Sequence, residues 1–209
     1  MTELTSAPSP TDRAAVLDTP IGRLRLVATS RGLRAIEWPD IPTSARAGDI
    51  GVDAVDAGSH AAPRSVGDDL LDEVVRQLVE YFAGERLDFD VPLDPVGTDF
   101  QRDAWTALRR IPYGDTVSYG EQAERIGDRS KARAVGAANG RNPIPVIVPC
   151  HRVIGSDGSL TGFAGGIDAK RWLLDHESRV VGRTLVCDRF GSPSPPARGP
   201  VSRPPRGSP

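Results

Sequence analysis

The sequence predicts a two-domain α/β protein, with a small α/β domain at the N-terminus and a mainly helical domain carrying a helix-turn-helix behind it. Three observations predict this. Apolar residues alternate with polar ones in the first 40 positions and then recur at helical spacing. Pro92, Pro95 and Gly97 interrupt the chain near its middle. The charge also changes sign there: residues 1–97 carry 9 Lys and Arg against 17 Asp and Glu, whereas residues 98–209 carry 17 against 11. A chain of 209 residues is long enough for two small domains. The expected boundaries are a flexible leader at 1–12, an N-terminal domain at 13–92, a linker at 93–98, a second domain at 99–182 and a disordered Pro/Arg-rich tail at 183–209.

Each element has a local reason. A short strand is expected at 14–18, closed by Pro20 and Gly22. A hairpin follows, with Leu24, Leu26 and Ala28 on one face and, after the turn at Ser30-Arg31-Gly32, Leu33, Ala35 and Trp38 on the matching face. Residues 39–67 are rich in Ala, Gly, Asp and Pro without periodicity and read as a long loop. Leu70, Leu71, Val74, Val75, Leu78, Tyr81 and Phe82 predict a helix over 68–82 that stops at Gly84. A strand at 87–91 completes the small sheet. Past the linker, Phe100, Ala104, Trp105, Ala107 and Leu108 form the buried stripe of a helix over 100–110. Ser118 and Glu121 have capping-box spacing and start a helix that runs to about Ile126. After Gly127-Asp128, Ser130 is placed to cap a second helix from Lys131 to about Asn139. Helix, short turn and helix make the helix-turn-helix. Gly155 to Gly166 is a glycine-punctuated loop carrying Phe163 and Ala164, and a last helix over 167–177 turns Trp172, Leu173 and Leu174 inward.

Composition narrows the function. No apolar run approaches the roughly 18 to 20 residues of a membrane span, and the first 20 residues lack the apolar stretch of a signal peptide, so a cytoplasmic protein without a membrane partner is expected. Two cysteines, Cys150 and Cys187, cannot build a disulfide framework, and with three histidines they leave few ligands for a metal. Neither a metal nor a cofactor is expected. Between Arg125 and Arg152 lie six basic residues, Arg125, Arg129, Lys131, Arg133, Arg141 and Arg152, against the single acid Asp128. That is the footprint of a phosphate backbone or of a solvated helix face. The second helix is otherwise small, with Ala132, Ala134, Gly136, Ala137, Ala138 and Gly140. This suits close approach to a groove, and equally plain helix packing.

The most unusual segment holds three prolines in the eight residues 142–149, with a β-branched run between them, and delivers Cys150 beside His151 and Arg152. A buried free cysteine is commonly an inert small hydrophobe. Adjacent imidazole and guanidinium groups, however, favour the nucleophilic thiolate. Glu177, at the end of the last helix, is either an exposed helix-end carboxylate or the group that orients His151, which completes a nucleophile, base and orienter set. Cys187, beside Asp188 at the edge of the tail, has nothing to lower its pKa and reads as incidental.

Pro149-Cys150-His151-Arg152-Val153, preceded by Asn142-Pro143 and by the Arg133-bearing helix, resembles the O6-alkylguanine-DNA alkyltransferases over about residues 98–182. Residues 14–91 are similar to that family only in architecture. The resemblance implies a ribonuclease-H-like N-terminal domain, a winged helix-turn-helix, and direct-reversal repair of duplex DNA carrying O6-alkylguanine and O4-alkylthymine. Cys150 would be the alkyl acceptor, used once. His151 would deprotonate it through a water, held by Glu177, while Asn142 braces the turn that presents the sulfur. Tyr119 would donate toward guanine N3, and Arg133 would fill the gap left by the flipped base. Ser130, Lys131, Ala134, Ala137 and Ala138 would accompany Arg133 at the minor groove. The carbonyls of Cys150 and Val153 would read the exocyclic amine, Phe163 would wall the base, and the amide of Ala164 would face O6. Phe163 stands where many members have Tyr, Ala164 where some have Ser, and the zinc ligands of some relatives are absent. A monomer is expected, with cooperative binding on DNA allowed. The remaining alternatives are a non-catalytic alkyl-lesion-binding protein, which would lack the acceptor cysteine, and a thiol hydrolase, which would turn over.

Overall fold

A computed structural model describes residues 13–40 and 69–182 of the chain. The expected leader, most of the 39–67 loop, Cys187 and the tail lie outside the described residues. Three antiparallel strands, β1 (Arg13–Thr19), β2 (Gly22–Ala28) and β3 (Leu33–Glu37), form one sheet in that order. Helix α1 (Asp69–Ala83) packs against it through Leu71, Val74, Leu78 and Tyr81, as its 3.6-residue apolar period dictates.

Two expectations in this half need correcting. Leu33 and Ile36 point inward rather than Leu33 and Ala35. The register between β2 and β3 shifts at Val27/Ala28, so Val27 pairs with Ala35 but Ala28 pairs with Leu33, and the extra residue reverses the inward parity. The segment 87–91 is not a strand. Extended pairing falls instead on Leu93, which bridges Leu33; Leu33 N donates to Pro92 O and Asp94 N to Leu33 O. Pro92 and Pro95 have no N–H, so the ladder cannot extend.

The second half begins with α2 (Asp99–Leu108), capped by a Thr98/Gln101 capping box. A two-residue strand, β4 (Val117–Ser118), leads into α3 (Tyr119–Arg125), whose Ser118/Glu121 capping box forms as the spacing predicts. Helix α4 (Ala132–Gly140) follows. The cap between α3 and α4 differs from expectation. Asp128, not Ser130, accepts the capping hydrogen bond, and Ser130 sits inside a 3-10 turn at Arg129–Lys131. The carboxylate accepts from the Ser130 amide and also from Ser130 Oγ, so the serine hydroxyl is turned back to Asp128 as a donor rather than forward as a cap.

A buried amide pair fixes the angle of the helix-turn-helix. Gln122 Nε2 donates to Asn139 Oδ1 at 3.1 Å, and Asn139 Nδ2 returns a bond to Gln122 Oε1 at 2.7 Å. Gln122 also donates to Ala104 O, and Trp105 Nε1 to Ala138 O, so α2, α3 and α4 form one hydrogen-bonded block. Beyond it, β5 (Val153–Ile154) pairs in parallel with β4, and α5 (Gly166–Val180) closes the structure. Helix α5 continues past the expected stop at 177. His176 and Glu177 therefore lie within it and are buried, whereas Trp172 is only partly covered.

The halves are bonded to each other at several points. Ile36 N donates to Pro143 O at 2.8 Å, and His176 Nε2 donates to Tyr81 O at 2.7 Å. Trp38 of the first half meets Phe163 of the second edge-on, with ring centroids 5.6 Å apart. Gly165 permits that approach, because a Cβ there would lie 2.6 Å from the Trp38 ring. Among the described residues no helix is long and apolar enough to cross a membrane.

Candidate active site

Cys150 sits at the start of a 3-10 turn, Cys150–Arg152, at the end of the proline-rich segment. The segment is tightly bent before it. Val146 has a φ of 76°, a left-handed conformation that a β-branched residue rarely adopts. Asn142 over-determines this turn. Its Nδ2 donates to Val148 O at 2.7 Å and its Oδ1 accepts from Ile144 N at 3.1 Å. The bracing role expected of Asn142 thus has a geometric counterpart, and strain held this way is typical of sites that present a reactive group. Replacing Asn142 by alanine would leave the buried Ile144 amide unpaired and strip one of two donors from Val148 O, which keeps its bond from Cys150 N. The expected loss is about 2 kcal/mol in thermal or urea unfolding, with slower single-turnover chemistry at Cys150.

The electrostatics of Cys150 differ from the sequence expectation. Burial pushes the thiol up, and the opposing influences are a hydrogen bond with Asn142 and the charge of Lys170. His151 and Arg152 are not among them, because both turn to Glu177. His151 is completely buried; its Nε2 lies 2.8 Å from Glu177 Oε1, while its Nδ1 has no hydrogen-bond partner among the described residues. A carboxylate only accepts, so Nε2 carries the proton and Nδ1 presents a lone pair. Burial lowers the His151 pKa against the opposing pull of Glu177, which keeps the ring neutral near pH 7 and able to take a proton.

Glu177 is a hub. Oε1 accepts from Tyr81 Oη at 2.7 Å, from His151 and from Arg152 Nη2 at 2.9 Å; Oε2 accepts from Arg152 Nε at 2.9 Å and Gly114 N at 3.0 Å. Burial alone would raise its pKa, but His151 and Arg152 outweigh that and hold it well below the carboxylate range. Arg152 is therefore no part of a phosphate-facing patch. It is buried, donates also to Ile111 O at 2.7 Å, and lies over the Tyr113 ring.

Lys170 escaped the sequence reading. It is fully buried on α5, and Nζ donates to Val153 O and to Thr161 O, both at 2.7 Å. Burial lowers its pKa to about 8. A signal existed: positions 170, 173, 174 and 177 share one helix face, so Lys170 is a charge on a stripe whose other members are buried. Tyr81 gave no such signal, since its partner lies 96 residues away.

The remaining expected residues divide clearly. Tyr119 is half-buried, with its hydroxyl 3.2 Å from Thr161 Oγ1 and its pKa raised chiefly by burial. Phe163 is buried edge-on to His151, at 6.3 Å between centroids, and Ala164 packs partly against the same core. The carbonyls of Cys150 and Val153 already accept from Val153 N and Lys170 respectively, and each retains a second lone pair. Ser130, Lys131, Arg133, Ala134 and Ala137 are exposed on or beside α4. Ala138 is not: it is 2% exposed, and its carbonyl holds Trp105. A residue on the inner face of α4 cannot meet a groove, so Ala138 leaves the expected DNA-contacting set. Among the described residues no group of His, Cys, Asp and Glu is arranged to hold a metal ion.

Fold and site together define a class: a thiol-centred protein whose buried cysteine, imidazole and carboxylate stand against a helix-turn-helix. Comparisons with known proteins give the family. Residues 13–95 match the model for the 6-O-methylguanine DNA methyltransferase ribonuclease-like domain, and residues 99–179 match that for the DNA binding domain of the same proteins. A methylated-DNA–protein-cysteine methyltransferase of Methanosarcina acetivorans is 44% identical over 78% of this chain and 96% of its own length. One from Mycobacterium tuberculosis is 63% identical over 49% of this chain and 62% of its own. The crystal structure of the Mycobacterium tuberculosis O6-methylguanine methyltransferase superposes with a TM-score of 0.66 at 41% identity, covering 86% of this chain and 99% of that one. The same organism's OGT in complex with DNA gives 0.64 at 43% identity, covering 81% and 93%. The chain belongs to the 6-O-methylguanine DNA methyltransferase family.

Proposed function

We infer that this protein repairs alkylated duplex DNA by direct reversal, transferring the alkyl group from O6 of guanine irreversibly to Cys150. The observation that carries the reading is the buried Cys150 thiol, braced by Asn142 and backed by a neutral His151 oriented on Glu177. The thiol proton passes through a water to His151 Nδ1, whose lone pair has no partner among the described residues. The sulfur then attacks the alkyl carbon. An S–C bond forms, the C–O6 bond breaks, and the electron pair leaves with the guanine; a hydrogen bond from the Tyr119 hydroxyl toward N3 stabilises that charge, water supplies the proton that makes neutral guanine, and His151 returns the thiol proton to water. Lys170 supplies positive charge beside the developing thiolate. Nothing regenerates the thiol from its thioether, so one molecule reacts once.

Exposed Arg133 is the residue we assign to the space vacated by the flipped nucleotide. Refilling the stack offsets part of an unstacking cost of a few kcal/mol, so Arg133→Ala is expected to slow transfer from duplex DNA by roughly 10- to 100-fold. Transfer from a single-stranded oligonucleotide, which needs no extrusion, is expected to stay near the wild-type rate. Parallel single-turnover assays on the two substrates check this. We place the protein in the cytoplasm with its duplex substrate.

The test of the function is stoichiometry. With a duplex bearing one O6-methylguanine in excess over protein, repair is expected to stop at one lesion per molecule. Continued turnover would indicate a thiol hydrolase. Binding without repair would indicate a lesion-binding protein.

A further inference from the structure

We propose that Tyr81, which belongs to the N-terminal half, is a positioning residue for alkyl transfer: its hydroxyl shares Glu177 Oε1 with His151 and so sets how strongly that oxygen stabilises a protonated His151. The proposal rests on the reading of Cys150 as the alkyl acceptor with His151 as its base.

The geometry is specific. Tyr81 is 0% exposed and lies on α1, while Glu177 is 0% exposed on α5. The Tyr81 ring is fixed by contacts with Phe82, Phe89, Tyr113 and His176, and its backbone carbonyl is held by His176 Nε2. Its hydroxyl donates to Glu177 Oε1 at 2.7 Å, the oxygen that lies 2.8 Å from His151 Nε2. Burial and the charge of Glu177 hold the phenol well above its usual pKa, so it remains a donor throughout the working pH range.

The proton ledger gives the consequence. When His151 Nδ1 takes the thiol proton, the ring becomes an imidazolium whose Nε2–H points at Oε1, and its stability depends on the electron density left on that oxygen. Each further donor on Oε1 draws some of it away. The charged and titratable groups around His151 and Glu177 are Cys150, Arg152 and Lys170 from the chain around and behind the thiol, Tyr113 from the loop after α2, His176 from α5, and Tyr81. Tyr81→Phe removes one hydroxyl and leaves all the others in place. Oε1 then attracts the imidazolium proton more strongly and His151 titrates at higher pH. The acid limb of the rate profile should move up by about half a unit to one unit.

The experiment is the pH dependence of single-turnover methyl transfer, using the full chain in excess over a duplex with one O6-methylguanine. Tyr81→Phe is expected to methylate Cys150 to the same extent as wild type but with its acid-limb midpoint displaced upward. Site-specific 3,5-difluorotyrosine at position 81, a stronger donor, is expected to displace it downward. Phe89→Leu alters the packing of the Tyr81 ring without touching the hydroxyl, and should leave the midpoint in place. An unmoved midpoint in Tyr81→Phe, or an equal shift in Phe89→Leu, would overturn the proposal. Should Tyr81→Phe fail to fold, the difluorotyrosine and Phe89→Leu proteins decide the matter. A wild-type protein whose Cys150 stays unmodified would instead refute the functional reading itself.

Discussion

Glu177→Ala is expected to destabilise the protein by about 3–5 kcal/mol, the cost of removing one partner from a buried ion pair. The reason lies in what the carboxylate holds. Arg152 is buried with a fork of bonds to Glu177, and without it the guanidinium keeps, among the described residues, only the Ile111 carbonyl as a hydrogen-bond acceptor and the Tyr113 ring beneath it. Tyr81 Oη and Gly114 N lose their acceptor as well. For a chain of this length the loss corresponds to a fall in Tm of roughly 10 °C, measurable by calorimetry. The pH dependence has a definite sign. Because the folded-state pKa of Glu177 is depressed, its stabilisation is fully present above the unfolded carboxylate pKa and is lost as pH falls through the folded value. The gap between wild type and Glu177→Ala is therefore expected to be widest near neutrality and to narrow in acid. A variant within about 1 kcal/mol of wild type at pH 7 would show that the hub is not structural.

Cys150→Ser is expected to abolish transfer while leaving fold and DNA binding intact. The exchange conserves shape, and the site keeps Asn142, His151 and Lys170 around the hydroxyl. Chemistry decides the outcome: an alcohol ionises on the order of six pH units above a thiol, and a neutral imidazole cannot make up that difference. A fall of at least about 1,000-fold in the single-turnover rate is expected, with unchanged affinity for the lesion duplex in a gel-shift titration. Transfer retained in the serine protein would mean that another residue is the acceptor.

Local chemistry was legible in the sequence, and long-range contact was not. The Ser118/Glu121 box, the helix stop at Gly84 and the apolar stripe of α1 follow from spacing, and the structure shows each of them. Pro149-Cys150-His151-Arg152 identified the reactive segment because its residue types are unusual together. Spacing could not reveal the register shift at Val27/Ala28, which depends on two strands meeting, nor the choice of Asp128 over Ser130 as cap, which depends on the Ser130 hydroxyl turning back to donate to Asp128. Arg152 was misread as a surface cation for a related reason: its partner lies 25 residues along the chain, on another element. Glu177 looked like a helix-end carboxylate because α5 was expected to stop there. One more turn of helix buries it between the two halves and makes it the point where Tyr81, His151 and Arg152 meet.

The central claim is that Cys150 is consumed by accepting the alkyl group, and peptide mass analysis after reaction with a duplex containing one O6-methylguanine tests it most directly. The account predicts that the peptide bearing Cys150 gains one methyl group in place of a hydrogen, at no more than one equivalent per protein, while an equal amount of guanine in the duplex is restored. A repaired duplex with Cys150 unmodified would contradict it.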